Sequence, residues 1–272
     1  MTADAASTSP TPPVPVPVPV PLSGLRARSN WRVRAAHGLY RVATRLHWAE
    51  PELLGLGAFV RRGDEVIDVG AALGMYTVPL AAIVGRTGRV WSFEPQRRGI
   101  FTVRLLRVLT GPHHGRVSRL ALGPHDGRST IVVPYHNGFP IFGHGHVEEG
   151  AGAEAGRQHK SHAPMSTIDA WCAKNSVGRV SFIKVDVEGF EPSVVEGAVA
   201  TIDRDRPSLL LEIEDRHLAR YGRTADGFVA EIQQRWPDYR MYTWVTGSWT
   251  PATAIVPEVR NYLFATDEAF SR

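Results

Sequence analysis

The stretch VIDVGAALGMYT, residues 66–77, decides the fold, because it joins a short apolar run to an acid, two glycines and a polar end. The run EVIDV, residues 65–69, lies between Gly63-Asp64 and Gly70, which is typical of a buried parallel strand. A helix is predicted from Gly74 to Ile83. The stretch therefore predicts a strand, a turn and a helix, with glycines that let either a cofactor or another helix approach the backbone.

The alternation of strands and helices continues along the chain. RVWSF, residues 89–93, is predicted to be the next strand, and apolar residues at helical spacing predict a helix over 97–109. Further strands are predicted over 116–122, 129–135, 179–187, 207–214, 239–245 and 260–266, and further helices over 166–176, 194–202 and 224–235. Thr224 is a candidate N-cap. This order predicts a parallel sheet with helices on both faces, and the last two strands predict a hairpin at one edge.

Composition limits the class of protein. The 272 residues carry a net charge of +4, with 43% hydrophobic and 21% charged residues, as expected of a globular α/β domain. The mild positive balance does not indicate a nucleic-acid partner, although basic residues between Arg26 and Arg45 leave a local anionic partner open. The single Cys172 excludes an intrachain disulfide and a cysteine-based metal cage. No apolar run is long enough to predict a membrane span, and a cytoplasmic protein is the default.

Three regions are predicted along the chain. Residues 1–24 form a tail, in which alternating Pro and Val over 10–22 favour extended polyproline II. Residues 25–62 form a helical cap, because residues 30–48 have an amphipathic, basic helical pattern; a membrane-surface helix is the alternative. Residues 63–272 form the main domain, and no oligomeric state is predicted.

Acidic residues lie at the carboxyl ends of several predicted strands. They are Asp68, Glu94, Asp186 with Glu188, and Glu212 with Glu214. Ligands of open α/β sheets bind beyond this edge, and an unpaired carboxylate is costly to bury. A polar ligand is therefore expected where these strands end.

The turn after the first strand narrows the choice of ligand. Gly70 and Gly74 do not complete the G-x-G-x-x-G pattern of a dinucleotide site, and no G-K-[ST] phosphate loop follows. Glu94 ends the next strand, where a carboxylate can accept hydrogen bonds from both hydroxyls of a ribose. Together with Asp68, this arrangement resembles the S-adenosylmethionine site of Rossmann-like methyltransferases.

The resemblance extends over roughly residues 55–265. RRGDEVIDVGAALGMYT, VWSFEP, STIDAW, FIKVDVEGFEPSVVEGA and PSLLLEIE occur in the order and spacing of the FkbM-type methyltransferases, and IKVDVEGFE is the most specific part. The resemblance implies a Rossmann-like class I methyltransferase fold, with a mostly parallel seven-stranded sheet, helices on both faces and an antiparallel edge hairpin. It also implies S-adenosylmethionine as cofactor and methyl transfer to a hydroxyl of a sugar or natural product.

Cofactor contacts follow from the same resemblance. The residues it implies are Asp68, Gly70, Ala71, Ala72, Gly74, Tyr76, Thr77, Glu94, Pro95 and Leu122. The chain differs from the family at Ala72, where Asn is usual, and at Phe190, where His is frequent. Asparagines expected near 106–110 are absent, and Leu106 and Thr110 stand there. None of these differences removes a strand-end acid, so the class is retained.

Catalysis requires alignment of the reactants and activation of a hydroxyl. Asp186 ends the strand that faces the transferred methyl in this fold class, so it is expected to accept the proton or to hold a divalent cation. Mg²⁺, with Glu212 as a second ligand, suits paired carboxylates. Lys184 can neutralise Asp186, and Glu188 is a further catalytic candidate. A structural ion-pair network that caps the next helix is the alternative.

Residues 136–163 are rich in glycine and histidine and have no clear period, so a long loop is predicted there. His136 or His144 is a candidate base for the acceptor, with a zinc site or a solvated lid as alternatives.

Two other functions are considered beside the methyltransferase. A nicotinamide-dependent oxidoreductase is disfavoured by the incomplete glycine pattern. A non-catalytic Rossmann-like binding module stays open, although the strand-end acids argue against it. A small hydroxylated acceptor, rather than nucleic acid, is the predicted partner.

Overall fold

The computed structural model describes residues 50–271, apart from residue 98 and the segments 101–113, 137–138, 141–144 and 153–156. The predicted tail, residues 1–24, lies outside this part of the chain, as does the predicted cap up to residue 49. Most of the helix predicted over 97–109 also lies outside it. Within the described residues, the helices are all too short or too polar to span a bilayer.

The main sheet lies at the centre of the fold. Its strands are β1 (Glu65–Val69), β2 (Arg89–Phe93), β3 (His114–Ser118), β9 (Val180–Val185), β10 (Ser208–Glu212), β11 (Arg240–Val245), β12 (Ser248–Pro251) and β13 (Asn261–Ala265). Their order is β12-β11-β13-β10-β9-β1-β2-β3. Pairing is parallel from β10 through β9 and β1 to β3, whereas β13 is antiparallel to both of its neighbours. The strand order reverses between β1 and β9, so a ligand crevice is expected there.

The sheet has eight strands rather than the predicted seven, and β12 is the addition. It forms an edge hairpin with β11 through Thr246 and Gly247, both of which have positive φ. Such a two-residue turn matches the twist of a hairpin. The two predicted terminal strands, β11 and β13, do pair antiparallel, so the predicted antiparallel edge is confirmed.

A second sheet includes part of the region where a loop was predicted. It contains β4 (Ala121–Leu122), β5 (Gly127–His136), β6 (Phe139–Pro140), β7 (His146–Val147) and β8 (Gln158–Ser166). The loop prediction over 136–163 was therefore wrong for β8, which pairs with β5 from Gln158 to Met165. The single strand predicted over 116–122 was also wrong, because β3 and β4 belong to different sheets. Long-range pairing, which local periodicity does not report, explains both errors.

Helices cover both faces of the main sheet, as predicted. They are α1 (Thr77–Val84), α2 (Ile168–Lys174), α3 (Glu191–Glu196), α4 (Val199–Asp205), α5 (Asp215–Leu218), α6 (Ala225–Arg235) and α7 (Asp267–Ser271), with 3₁₀ turns at Pro51–Ala58 and Ala219–Tyr221. The predicted N-cap is confirmed, because the Thr224 hydroxyl accepts a hydrogen bond from the Gly227 N–H. The helix predicted over 194–202 is divided at Gly197, where a Cβ would lie 2.1 Å from the Gly123 carbonyl oxygen.

The core is divided by the main sheet, because successive strand residues face opposite sides. Ile67 and Ile183 belong to the cluster that includes the second sheet and α2, whereas Val66 and Phe182 pack with the 3₁₀ turn at Pro51–Ala58. Cys172 of α2 is buried in the first cluster, and burial raises the pKa of its thiol to about 11. The single cysteine is therefore part of the hydrophobic core.

Candidate active site

A cavity of about 300 Å³ opens beyond the carboxyl ends of β1, β2 and β9. Of the residues predicted to contact a cofactor, eight line it: Asp68, Gly70, Ala71, Ala72, Tyr76, Glu94, Pro95 and Leu122. Ile131 and Val147 of the second sheet close one side with apolar groups. Leu73, 61% exposed, lies at the rim of the cavity. The sequence therefore located the cavity but missed the wall that the second sheet provides.

The turn between β1 and α1 has a glycine where the neighbouring strand demands one. Gly70 has φ +79°, and a Cβ there would lie 1.8 Å from the carbonyl oxygen of Asp186. The N–H groups of Gly70 and Ala71 both donate to the carbonyl of Phe93, at 3.0 Å each. Packing against β9 and β2, rather than a ligand, is thus the first reason for this glycine. Gly74, with φ +84°, delays the start of α1 to Thr77.

Glu94 is oriented by the backbone of two loops. Its Oε2 accepts a hydrogen bond from the N–H of Ala72 at 2.9 Å, and its Oε1 accepts one from the N–H of Gln96 at 2.7 Å. Ala72 has φ +41°, a left-handed conformation that Asn adopts more readily than Ala. Burial raises the pKa of Glu94 to about 7, although the two N–H groups oppose the shift. The carboxylate is therefore fixed in place and close to titration near neutral pH.

Asp68 is buried at the end of β1. Its Oδ2 accepts a hydrogen bond from the hydroxyl of Thr77 at 2.5 Å, and Thr77 is 3.0 Å from the hydroxyl of Ser92. Burial raises the pKa of Asp68 to about 6, and the hydroxyl of Thr77 limits the rise. Thr77 does not line the cavity; it holds the aspartate that does.

Lys184 is fully buried on β9. Its Nζ donates to Asn261 Oδ1 at 2.9 Å, lies 3.5 Å from Asp186 Oδ2 and is 4.9 Å from the centre of the Tyr76 ring. Burial lowers the pKa of Lys184, but nearby carboxylates, of which Asp186 and Glu50 have the largest effects, outweigh burial and hold it above its usual value. Lys184 therefore stays charged, and the predicted pairing with Asp186 is present.

Glu50, which sequence reasoning missed, completes this wall of the cavity. Its Oε2 accepts hydrogen bonds from the Tyr76 hydroxyl at 2.5 Å and from Asn261 Nδ2 at 3.0 Å. The sequence around Glu50 has no pattern that would have identified it as a cavity residue. Its hydrogen-bond partners, Tyr76 and Asn261, lie far from it in the sequence.

Asp186 and Glu212 are close enough for each to shift the pKa of the other. Burial raises the pKa of Asp186, but Lys184, Glu212 and Arg260 together outweigh burial and hold it below the usual range. Burial, followed by the charge of Asp186, raises the pKa of Glu212 well above its usual range. Glu212 therefore keeps its proton while Asp186 is ionised.

These contacts do not fit the predicted Mg²⁺ site. Carboxylate oxygens are suitable ligands, but Lys184 already faces Asp186, and Arg260 Nη2 lies 3.5 Å from Glu212 Oε1. A metal would also have to displace the proton that Glu212 keeps. Ligand atoms of Glu212, Glu214 and His217 lie within 4.8 Å of one another, but Glu214 is paired with Arg260 and with a second arginine, Arg216.

His217 of α5 is a second residue that sequence reasoning missed. It is 8% exposed, and its Nε2 lies 3.1 Å from Oε2 of Glu188, a residue that lines the cavity. Its Nδ1 lies 3.9 Å from Glu212 Oε2. Burial and nearby arginines lower the pKa of His217 to about 4, so the ring is neutral. The sequence around His217 contains no recognisable motif, and only the fold brings this histidine next to Glu188.

Glu191, the last acid of the IKVDVEGFE segment, and the predicted base His136 have different outcomes. Glu191 lies behind the cavity, where its Oε1 accepts hydrogen bonds from the N–H groups of Val187 and Gly189 at 2.9 and 3.2 Å. It stabilises the turn after β9. His136 is the last residue of β5, but its side chain and the whole of His144 lie outside the described part, so the histidine base stays a prediction.

Comparisons with known proteins agree with this geometry. The family model "Methyltransferase FkbM domain" matches residues 68–242, which is more than half of the chain. No curated protein matches the sequence.

Solved structures with a similar architecture come from several organisms. Methyltransferase FkbM from Methylobacillus flagellatus KT has 18% identity over 89% of this chain and 57% of that chain, with a TM-score of 0.45. An O-methyltransferase from Bacillus cereus, in complex with SAH, has 11% identity over 90% of this chain and 94% of that chain, with a TM-score of 0.44. An rRNA methylase from Streptococcus thermophilus has 10% identity over 79% of this chain and 90% of that chain, with a TM-score of 0.44.

This chain thus spans little more than half the length of the M. flagellatus protein. The structural similarities are too low to carry an argument about activity, and the assignment rests on the family match over residues 68–242. The chain belongs to the FkbM methyltransferase family.

Proposed function

We propose that this protein transfers a methyl group from S-adenosylmethionine to a hydroxyl of a sugar or natural product. The observation that carries the proposal is the convergence of Asp68, Glu94 and Asp186 on one cavity at the carboxyl edge of the sheet. This is the edge at which open α/β folds bind ligands. Membership of a methyltransferase family supplies the reaction class.

The cavity residues suit each part of this cofactor. Glu94 has free lone pairs beyond its two N–H partners, so it can accept hydrogen bonds from ribose hydroxyls. Asp68 and Asp186 provide negative charge for an ammonium and a sulfonium group. Leu122 and Ile131 provide an apolar surface for the adenine ring. When bound, S-adenosylmethionine supplies a methyl group already activated by its positively charged sulfur.

The protein's own task is to align the acceptor and to receive a proton. The acceptor oxygen forms a bond to the methyl carbon while the carbon–sulfur bond breaks, and the hydroxyl proton passes to a carboxylate of the cavity. Asp186 and Glu188 are the two candidates, because both line this end of the cavity and Glu212 keeps its own proton. Lys184 keeps the ionised Asp186 in a fixed position.

A small acceptor is favoured over nucleic acid by charge. Glu50, Asp186 and Glu188 all line the cavity, and their negative charge repels a phosphate backbone. The same acids can accept hydrogen bonds from several hydroxyl groups of one sugar. We therefore propose a polyhydroxylated small molecule as partner, in a cytoplasmic setting.

The test is a methylation screen by mass spectrometry. The protein is incubated with S-adenosylmethionine and a panel of monosaccharides, glycosides and hydroxylated natural products, with and without EDTA. We expect one acceptor to gain a single methyl group on oxygen, at a rate that EDTA does not change. Transfer to nitrogen or carbon, or stabilisation of the protein by NAD alone, would overturn the proposal.

A further inference from the structure

We propose that Glu188 is the catalytic residue that accepts the proton of the acceptor, and that His217 is the positioning residue that holds the Glu188 carboxylate. The inference rests on the proposed function, and it assigns the proton to Glu188 rather than to Asp186. Glu188 lines the cavity in the turn directly after Asp186, and His217 lies behind it at 3.1 Å.

Asp186 is poorly placed to take up a proton. Its Oδ2 lies 3.5 Å from the buried ammonium of Lys184, which lowers the pKa of Asp186, and the neighbouring Glu212 lowers that pKa as well. Both interactions stabilise the ionised form, so protonation of Asp186 would weaken both of them. Asp186 is better suited to remain a permanent negative charge.

Glu188 is held in an unusual backbone conformation by α5 and the turn that follows it. It has φ +58°, which is uncommon for a residue with a Cβ. Its carbonyl accepts a hydrogen bond from Arg220 Nη1 at 2.6 Å. The next residue, Gly189, has φ +101° and packs so closely that a Cβ would lie 2.3 Å from the carbonyl oxygen of His217. A left-handed backbone is unfavourable for a residue with a Cβ, so this geometry needs the support that α5 gives.

The tautomer of His217 follows from its two neighbours. Nε2 faces the Glu188 carboxylate, whereas Nδ1 has no hydrogen-bond partner among the described residues. The ring is neutral, since burial lowers its pKa to about 4 and Arg216, Arg220 and Arg260 oppose a further charge. A neutral ring with an acceptor at Nε2 carries its proton there, so His217 donates to Glu188 and does not compete for the transferred proton.

Burial and the surrounding charges give Glu188 a pKa that suits a general base. Burial is the largest influence and raises its pKa to about 7, with support from Asp186 and Glu191 and with opposition from Arg220 and Arg216. A general base is most effective when its pKa lies near the working pH. Glu188 combines this property with access to the cavity.

The experiment measures the titration of Glu188 by NMR of isotope-labelled glutamate carboxyls, in protein saturated with S-adenosylhomocysteine. The signal is assigned by its loss in Glu188→Gln. We expect a pKa near neutrality that rises in His217→Leu, because a donor to the ionised form is removed, and that returns toward the wild-type value in His217→Gln, which offers an N–H at a similar place. The matched control is His125→Leu, at an exposed histidine paired with Glu149, which should leave the signal unchanged.

The same variants are then assayed with the sugar that the wild type methylates in the screen. We expect Glu188→Gln to lower kcat roughly 100-fold with little change in cofactor affinity, and His217→Leu to lower it roughly tenfold while moving the acidic limb of the pH profile upward. Glu196→Gln, at an exposed residue of α3, is the control. A Glu188 pKa near 4.5, or one that His217→Leu leaves in place, overturns the inference. A wild type that methylates no hydroxyl refutes the proposed function instead, while the titration still decides the Glu188–His217 pair.

Discussion

The two ends of the cavity are built from contacts of different range. At the proposed cofactor end, Glu94 is fixed by the N–H of Ala72, 22 positions away, within a single run of strand, turn, helix and strand. At the proposed acceptor end, Lys184 is fixed by Asn261, 77 positions away. The first arrangement can be read as a local motif, whereas the second exists only once β13 has been inserted beside β10. The comparison shows that residues close in sequence build the Glu94 end, so a local motif can identify it. The charges around Lys184 depend on residues far apart in sequence, so no local motif reports them.

The largest effect is expected from a change at the point where the two ends meet. Gly70→Ala would place a Cβ 1.8 Å from the carbonyl oxygen of Asp186 at a residue with φ +79°. We expect a loss of roughly 4 kcal/mol in the free energy of unfolding, or no folded protein. Gly57→Ala is the control, because nothing lies within 4 Å of its Cβ position. Urea denaturation measures both, and equal stabilities would show that the strands can separate without cost.

The acceptor end is tested by Lys184→Met. Removal of the buried ammonium leaves Asp186 without its cation, so we expect a loss of about 3–5 kcal/mol in stability. Lys160→Met is the matched control, since Lys160 forms an exposed pair with Glu148 and should cost less than about 1 kcal/mol. If both variants unfold at the same urea concentration, the buried pair does not stabilise this end.

The cofactor end is tested by Glu94→Ala. A carboxylate that accepts hydrogen bonds from ribose hydroxyls contributes about 1.5–3 kcal/mol, so the Kd of S-adenosylhomocysteine should rise roughly 10- to 100-fold. Glu231→Ala, at an exposed glutamate of α6 paired with Arg223, is the control and should bind normally. Isothermal titration calorimetry measures both Kd values. Unchanged affinity in Glu94→Ala would show that Glu94 does not accept hydrogen bonds from the ribose hydroxyls.

Both ends contribute to a common pH dependence of stability. Asp68 titrates near pH 6, and Glu94 and Glu188 near pH 7, each above its unfolded value. The raised pKa values of these three carboxyl groups outweigh the lowered pKa of His217, so the native state binds more protons than the unfolded state between about pH 4 and pH 7. Stability is therefore lost as the pH rises through this window. We expect the ligand-free protein to melt at a higher temperature at pH 5.5 than at pH 8. Glu94→Gln should flatten the slope, and a Tm that increases across this window would contradict the assigned shifts.

The smallest effect is expected at Ala72. Its left-handed conformation, φ +41°, is more favourable for Asn or Gly than for Ala. Ala72→Asn should therefore raise stability by up to about 1 kcal/mol and leave cofactor affinity within a few-fold. Ala72→Val, which is strained in that conformation, is the opposing control. Thermal melts compare the three proteins, and a destabilised Asn variant would mean that crowding in the cavity outweighs the backbone.

The features that the sequence predicts correctly are those built from contacts between residues close in sequence. The strands that end in Asp68, Glu94 and Asp186 were predicted because their apolar runs and terminal acids are local. The loop prediction over 136–163 was wrong for β8, because β8 alternates small, polar and buried residues and becomes a strand only by pairing with β5. Glu50 and His217 were missed for a related reason: neither lies in a motif, and each reaches the cavity through partners far along the chain.

The central claim is that this cavity binds the adenosyl cofactor of a methyltransferase, and calorimetric titration of the purified protein with S-adenosylhomocysteine tests it most directly. We predict one site per chain, with no heat of binding from NAD under the same conditions. Binding of NAD without binding of S-adenosylhomocysteine or S-adenosylmethionine would contradict the account.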